Sequence, residues 1–122
     1  MIDFKNGSLI KLRKIKDTPH DLEALLIEGE DVISTYKGVR DYVTFTTKRI
    51  ISCNAQGMTG KKKDYTTLPY SKVQAFSVET AGNFDLDCEL ELYFSSIGKV
   101  KFEFTGTSDI VAIGKLISQY IL

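Results

Sequence analysis

Residues 76–94 read FSVETAGNFDLDCELELYF, and the second half of this stretch alternates with a period of two. Leu86, Cys88, Leu90, Leu92 and Phe94 fall on one side, while Asp85, Asp87, Glu89, Glu91 and Tyr93 fall on the other. Successive side chains of a strand point to opposite faces, so the pattern fits a sheet with one face in a core and an acidic ladder in water. A one-residue slip would carry the acids into the core, which specifies the pairing strongly.

The same period recurs along the chain. Residues 32–36, 42–46, 49–53, 64–68, 73–79, 85–94 and 99–105 form seven candidate strands separated by short polar or Gly-bearing turns. Val43, Phe45, Val100, Phe102 and Phe104 mark inward faces, and Thr44, Thr46, Lys101 and Glu103 outward ones. A last hairpin turning at 96–98 would set Leu92 opposite Phe102 and Leu90 opposite Phe104. After Gly106 the spacing becomes helical: Thr107 or Ser108 is the expected cap, and Ile110, Ile113, Ile117 and Tyr120 or Ile121 form one stripe. That stripe is expected to close the open end of a strongly bent sheet. A shorter helix is predicted from Asp17 or Thr18 through Leu22, Leu25 and Leu26, stopped by Gly29.

A chain of 122 residues suffices for one core, burying about two-thirds of its unfolded surface. Residues 19–122 read as a single domain preceded by a segment, 1–18, in which Leu9, Leu12 and Ile15 recur at near-helical spacing among lysines. That segment is expected to dock on its own domain with its lysines solvated; a basic amphipathic helix at a membrane is the alternative. Sixteen basic and sixteen acidic residues cancel, so no global field favours nucleic acid or membrane. The charge is nonetheless divided. Residues 1–72 carry thirteen Lys/Arg against nine Asp/Glu, and residues 73–122 three against seven, a division suited to pairing between copies. With no long apolar run and no secretion signal at its start, the chain is expected to be cytoplasmic. Cys53 and Cys88, in strand-like segments, read as buried free thiols rather than a zinc or disulfide framework.

Seven antiparallel strands followed by a helix is the order of a PH-like barrel. Residues 41–95 resemble the bacterial pleckstrin-homology (PH) family through Arg40-Asp41, Phe45-Thr46 with Lys48-Arg49, Gln56-Gly57, Pro69-Tyr70-Ser71, and above all Glu79-Thr80-Ala81-Gly82 followed by Asp85-Leu86-Asp87. With Gly29-Glu30 and the closing helix, the resemblance extends over about residues 20–122. It implies seven strands in two near-orthogonal sheets capped by the C-terminal helix, and a binding or assembly module that forms ring-like homo-oligomers.

Eukaryotic relatives hold inositol phosphates with a long basic loop; here that loop is only Lys37-Gly38-Val39-Arg40, with Asp41 expected to engage Arg40. Lys61, Lys62 and Lys63 form the densest basic run. The preceding Gly57-Met58-Thr59-Gly60 joins strands rather than the two helices of an RNA-clamping KH loop, so these lysines read as an edge guard or an anion contact. Together with Lys37 and Arg40 they are the candidate anion or lipid contacts. Carboxylates two apart on a strand stand about 7 Å from each other, too far to converge on one cation, so no metal is expected without further ligands such as Asn83. The ladder Asp85, Asp87, Glu89, Glu91 and Tyr93 is the candidate assembly surface, facing Lys61, Lys62 and Lys63 of a neighbouring copy. Tyr42 and Tyr93, on nominally outward faces, favour a protein partner. Catalysis and cofactors are not expected: no nucleophile, P-loop or dinucleotide motif is present, and the only histidine, His20, sits at a helix start.

Overall fold

The alternation that dominates the sequence is built into the second sheet. A computed structural model describes residues 1, 9–106 and 109–122. Two antiparallel sheets and a C-terminal helix make a mainly β architecture. The first sheet runs β1 (Arg13–Ile15), β2 (Val32–Lys37), β3 (Tyr42–Thr46), β4 (Arg49–Gln56) and β5 (Lys62–Pro69), in that order; between β1 and β2 lies a single helical turn, α1 (His20–Glu23). A 3-10 turn (Tyr70–Lys72) leads to the second sheet of β6 (Ala75–Glu79), β7 (Cys88–Phe94) and β8 (Gly98–Phe104), and α2 (Ile110–Ile121) closes the chain.

The strand absent from the sequence reading is β1. Three residues are too few to show a period, yet Leu9 and Leu12 on its N-terminal side are buried in the main core. Leu12 bridges Phe104 in parallel, and its N–H donates to the Glu103 carbonyl at 3.0 Å. Residues 9–12 thereby cover the outer edge of β8 and link the two sheets.

The inward stripes of β7 and β8 meet as expected, but in another register. Leu90 faces Phe102, Leu92 faces Val100 and Cys88 faces Phe104, because the hairpin turns over 95–97. The shift of two residues leaves every side chain on its expected face. Strand β7 also begins at Cys88 rather than residue 85: Gly82 N–H donates to the Asp85 carbonyl at 2.7 Å, and Asp87 N–H to Asp85 Oδ1 at 3.0 Å. These local bonds turn the chain before the ladder starts, which leaves Leu86 exposed instead of in the core.

Helix α2 buries Ile110, Ile113 and Ile117 over the 3-10 turn, β6 and β7, and stacks Tyr120 on Tyr70 at 4.9 Å between ring centroids. Asp109 occupies its cap position, while Thr107 and Ser108 lie outside the described residues. The N-terminal helix is shorter than predicted. It starts at His20 behind Pro19, without a side-chain cap, and by residue 24 gives way to turns that end at Gly29 with φ +78°. Its Leu22 nevertheless seals a second apolar cluster with Tyr42, Ile51 and Cys53 on the far face of the first sheet. Tyr42 therefore points into this cluster, not outward into solvent.

Candidate functional site

Two surfaces collect most of the charged residues singled out in the sequence. The first is an open groove of about 1040 Å³ between α1, the end of β2 and the β4–β5 hairpin. Lys37, Arg40 and Lys63 line it together, with Lys16 on the rim. Lys61 and Lys62 are exposed but do not line it. Strand β5 is the edge of its sheet, and Lys62 and Lys63 stand at its start.

At the floor of this groove lies Asp21, which the sequence reading did not select. Its Oδ2 accepts hydrogen bonds from Tyr42 Oη at 2.9 Å, from Lys63 Nζ at 3.2 Å, and from Tyr65 Oη. Burial disfavours the Asp21 carboxylate, but the bonds from Tyr65, Tyr42 and Lys63 outweigh it and hold its pKa below the usual value. Nothing in Thr-Pro-His-Asp at a helix start signals two phenols arriving from β3 and β5. Cys53 lies at the same floor, and burial pushes its thiol pKa up, as expected of an inert buried cysteine. His20 is exposed, 3.8 Å from Glu23.

Arg40 does not engage Asp41 as expected. Its Nη2 donates to the Gly57 carbonyl across the groove, while Asp41 is buried and accepts from Asn54 Nδ2 at 2.7 Å and Ala55 N–H at 3.3 Å. Burial raises the Asp41 pKa, with these bonds and Arg40 opposing. Arg40 thus ties the short β2–β3 loop to the β4–β5 hairpin.

The second surface is the acidic end of the β6–β7–β8 sheet. Glu89 and Glu91 stand on the outer face of β7, where Lys101 Nζ reaches Glu89 at 3.2 Å and Lys99 Nζ reaches Glu91 at 3.9 Å. Tyr93 beside them is half exposed. Asp85 and Asp87 lie ahead of this strand, in the loop. Every residue from 79 to 86 is exposed, and at the loop's tip Phe84 is bare while Leu86 is 68% exposed. Glu103, opposite Glu89, has its pKa raised by burial and then by the carboxylates of Asp87 and Glu89. The sequence signal for this finger was Gly82 followed by alternating aspartates, which read as the start of a strand. Among the described residues, no three His, Cys, Asp or Glu side chains gather closely enough to hold a metal ion, and no helix is long and apolar enough to cross a membrane.

Comparison with known proteins places this geometry among relatives. A family model for the bacterial PH domain matches residues 3–121. The chain is similar to the uncharacterized protein YjqA of Bacillus subtilis, at 43% identity over 90 residues that cover 74% of this chain and 70% of that protein. It is also similar to the crystal structure of a DUF1696 family protein with a pleckstrin-homology domain from Shewanella loihica. The two are 34% identical with a TM-score of 0.79, over 93% of this chain and 99% of that one. A pleckstrin homology domain from Shewanella amazonensis is 42% identical with a TM-score of 0.62, over 84% and 83% of the two chains.

Proposed function

The chain belongs to the bacterial PH domain family, and from that premise we propose that it is a non-enzymatic binding module that assembles with copies of itself. The observation that carries this reading is the finger between β6 and β7. A bare Phe84 beside a largely bare Leu86 is apolar surface on a polar protrusion, which is the form of a docking element rather than of a core. Each of these side chains contributes about 1.5–3 kcal/mol when buried. In this reading, the candidate assembly surface of Asp85, Asp87, Glu89, Glu91 and Tyr93 acts mainly through its finger end. Glu89 and Glu91, already held by Lys101 and Lys99, have less charge to offer Lys61, Lys62 and Lys63 of a neighbour. Light scattering tests the reading: Phe84→Asp with Leu86→Asp should reduce the assembled mass to that of one chain without altering the fold, and an unchanged mass in this variant would refute it.

A second reading, a peripheral binder of anionic headgroups or phosphates, is favoured by the convergence of Lys37, Arg40 and Lys63 on one groove. Asp21 at the floor already engages Lys63, so the groove presents fewer free cations than its lining implies. Vesicle binding of this kind requires anionic lipid and fades as salt is raised.

A further inference from the structure

The finger has a matching acceptor elsewhere on the same chain. Strand β1 ends at Ile15, opposite Thr35, whereas β2 begins three residues earlier at Val32. Among the described residues, no strand pairs with β2 on its β1 side at Val32, Ile33 and Ser34, so this stretch is an open half-edge. The β2–β3 register shifts between Val32 and Ser34, and the extra residue, Ile33, is 48% exposed. Beside it lies a hollow of about 590 Å³, apolar at Ile15, Val32 and Ile33 and basic at Lys14 and Lys16. A smaller hollow of about 90 Å³ toward α2 shares Lys14, Ile33 and Ser34.

We propose that residues 84–87 of one copy dock on this half-edge of a second copy, with Phe84 and Leu86 on Ile15, Val32 and Ile33, and Asp85 and Asp87 toward Lys14 and Lys16. The inference rests on the self-assembly reading above and names its contact. Two patterns match. The finger alternates apolar and acidic residues, and the acceptor sets an apolar Ile15 between two lysines, so a finger that releases its Gly82–Asp85 and Asp87–Asp85 bonds and extends on docking continues the line of β1 with both chemistries in register. The charges match as well: the finger's aspartates crowd Glu103 at their own sheet and form no ion pair among the described residues, whereas the acceptor offers cations, although Lys14 already reaches Asp109 at 3.1 Å and leaves Lys16 as the freer partner. Finger and half-edge are different patches, so the contact is head-to-tail and closes into a ring or extends as a filament.

Complementation between two variants tests it. Phe84→Asp removes the finger and Ile33→Glu the acceptor; both positions are exposed, so each variant should melt like the wild type. Alone, each should dissociate about 10- to 100-fold more readily than the wild type. Mixed in equal amounts they should form a dimer and nothing larger, because the first keeps an intact acceptor and the second an intact finger. A mixture that stays monomeric, or an Ile33→Glu chain that assembles like the wild type, overturns this contact while leaving self-assembly standing; a monomeric wild type overturns both. If either variant fails to melt cooperatively, Lys16→Glu and Asp87→Lys carry the same test, each weakening assembly alone and restoring it when mixed.

Discussion

Glu30 and Arg49 form a two-point clasp: Arg49 Nε donates to Glu30 Oε2 at 2.8 Å, and Arg49 Nη2 to Oε1 at 2.9 Å. Thr46 Oγ1 donates to the same carboxylate at 2.6 Å and Ile27 N–H at 3.1 Å, so the loop after α1 is fastened to β3 and β4. The Glu30 side chain is fully buried. The Arg49 bonds, against the opposing effect of burial, hold its pKa at about 2.

A carboxylate whose folded pKa lies below its ordinary 4.5 stabilises the fold fully above that pH and loses the contribution as pH falls toward 2. Urea unfolding measured across this window should weaken by about 3 kcal/mol. Glu30→Gln should flatten the dependence. Arg49→Met, which leaves Glu30 buried without its cation, should cost about 3–5 kcal/mol, and adding Glu30→Gln to it should recover part of the loss.

Helix α2 is held by its buried stripe. Ile117 is fully buried, so Ile117→Ala should cost about 2–5 kcal/mol in chemical denaturation. Ile113→Asp with Ile117→Asp should abolish cooperative melting, since a domain of this size has only about 5–15 kcal/mol in total. A soluble double variant with a sharp thermal transition would show that the helix is not part of the core.

Burial raises the phenol pKa of Tyr36, Tyr42, Tyr65 and Tyr70, four of the six tyrosines. Their ionisation is easier in the unfolded chain, near the ordinary 10.0, so stability is complete below that pH and declines above it. In an alkaline titration, phenolate absorbance from these four should appear only as circular dichroism is lost. All six ionising while the spectrum stays native would contradict their placement.

Cys53 and Cys88 are both buried, and Cys53 is further disfavoured as a thiolate. Neither should react with a thiol reagent at neutral pH until denaturant is added, and a rapid native reaction of one equivalent would contradict this.

Where one face is in the core and the other in water, the sequence was legible. The stripes Leu90, Leu92, Phe94 and Val100, Phe102, Phe104 point inward as read. Strand β3 falls on the expected residues, but both of its faces are covered, so Thr44 and Thr46, expected to face outward, are buried. Register was not legible, because a period of two cannot distinguish pairings that differ by two residues; the turn over 95–97 decides it. Asp85 misled because an aspartate in an alternating pattern can equally bond its own backbone and stop a strand. Tyr42 misled for another reason. Its face of the sheet is covered by Leu22, which lies twenty positions earlier, and no local period reports a tertiary lid. The groove around Asp21 was hidden in the same way, since its partners Tyr42, Tyr65 and Lys63 come from two distant strands.

The most direct measurement is sedimentation equilibrium of the full chain in about 0.1 M and about 1 M salt, which shortens the screening length from about 10 Å to about 3 Å. Assembly through Phe84 and Leu86 predicts a mass several times the 13.7 kDa of one chain at both salt concentrations, unaffected by anionic vesicles. A 13.7 kDa species at every protein concentration, sedimenting with anionic vesicles only at the lower salt, would contradict it and favour the anion-binding groove.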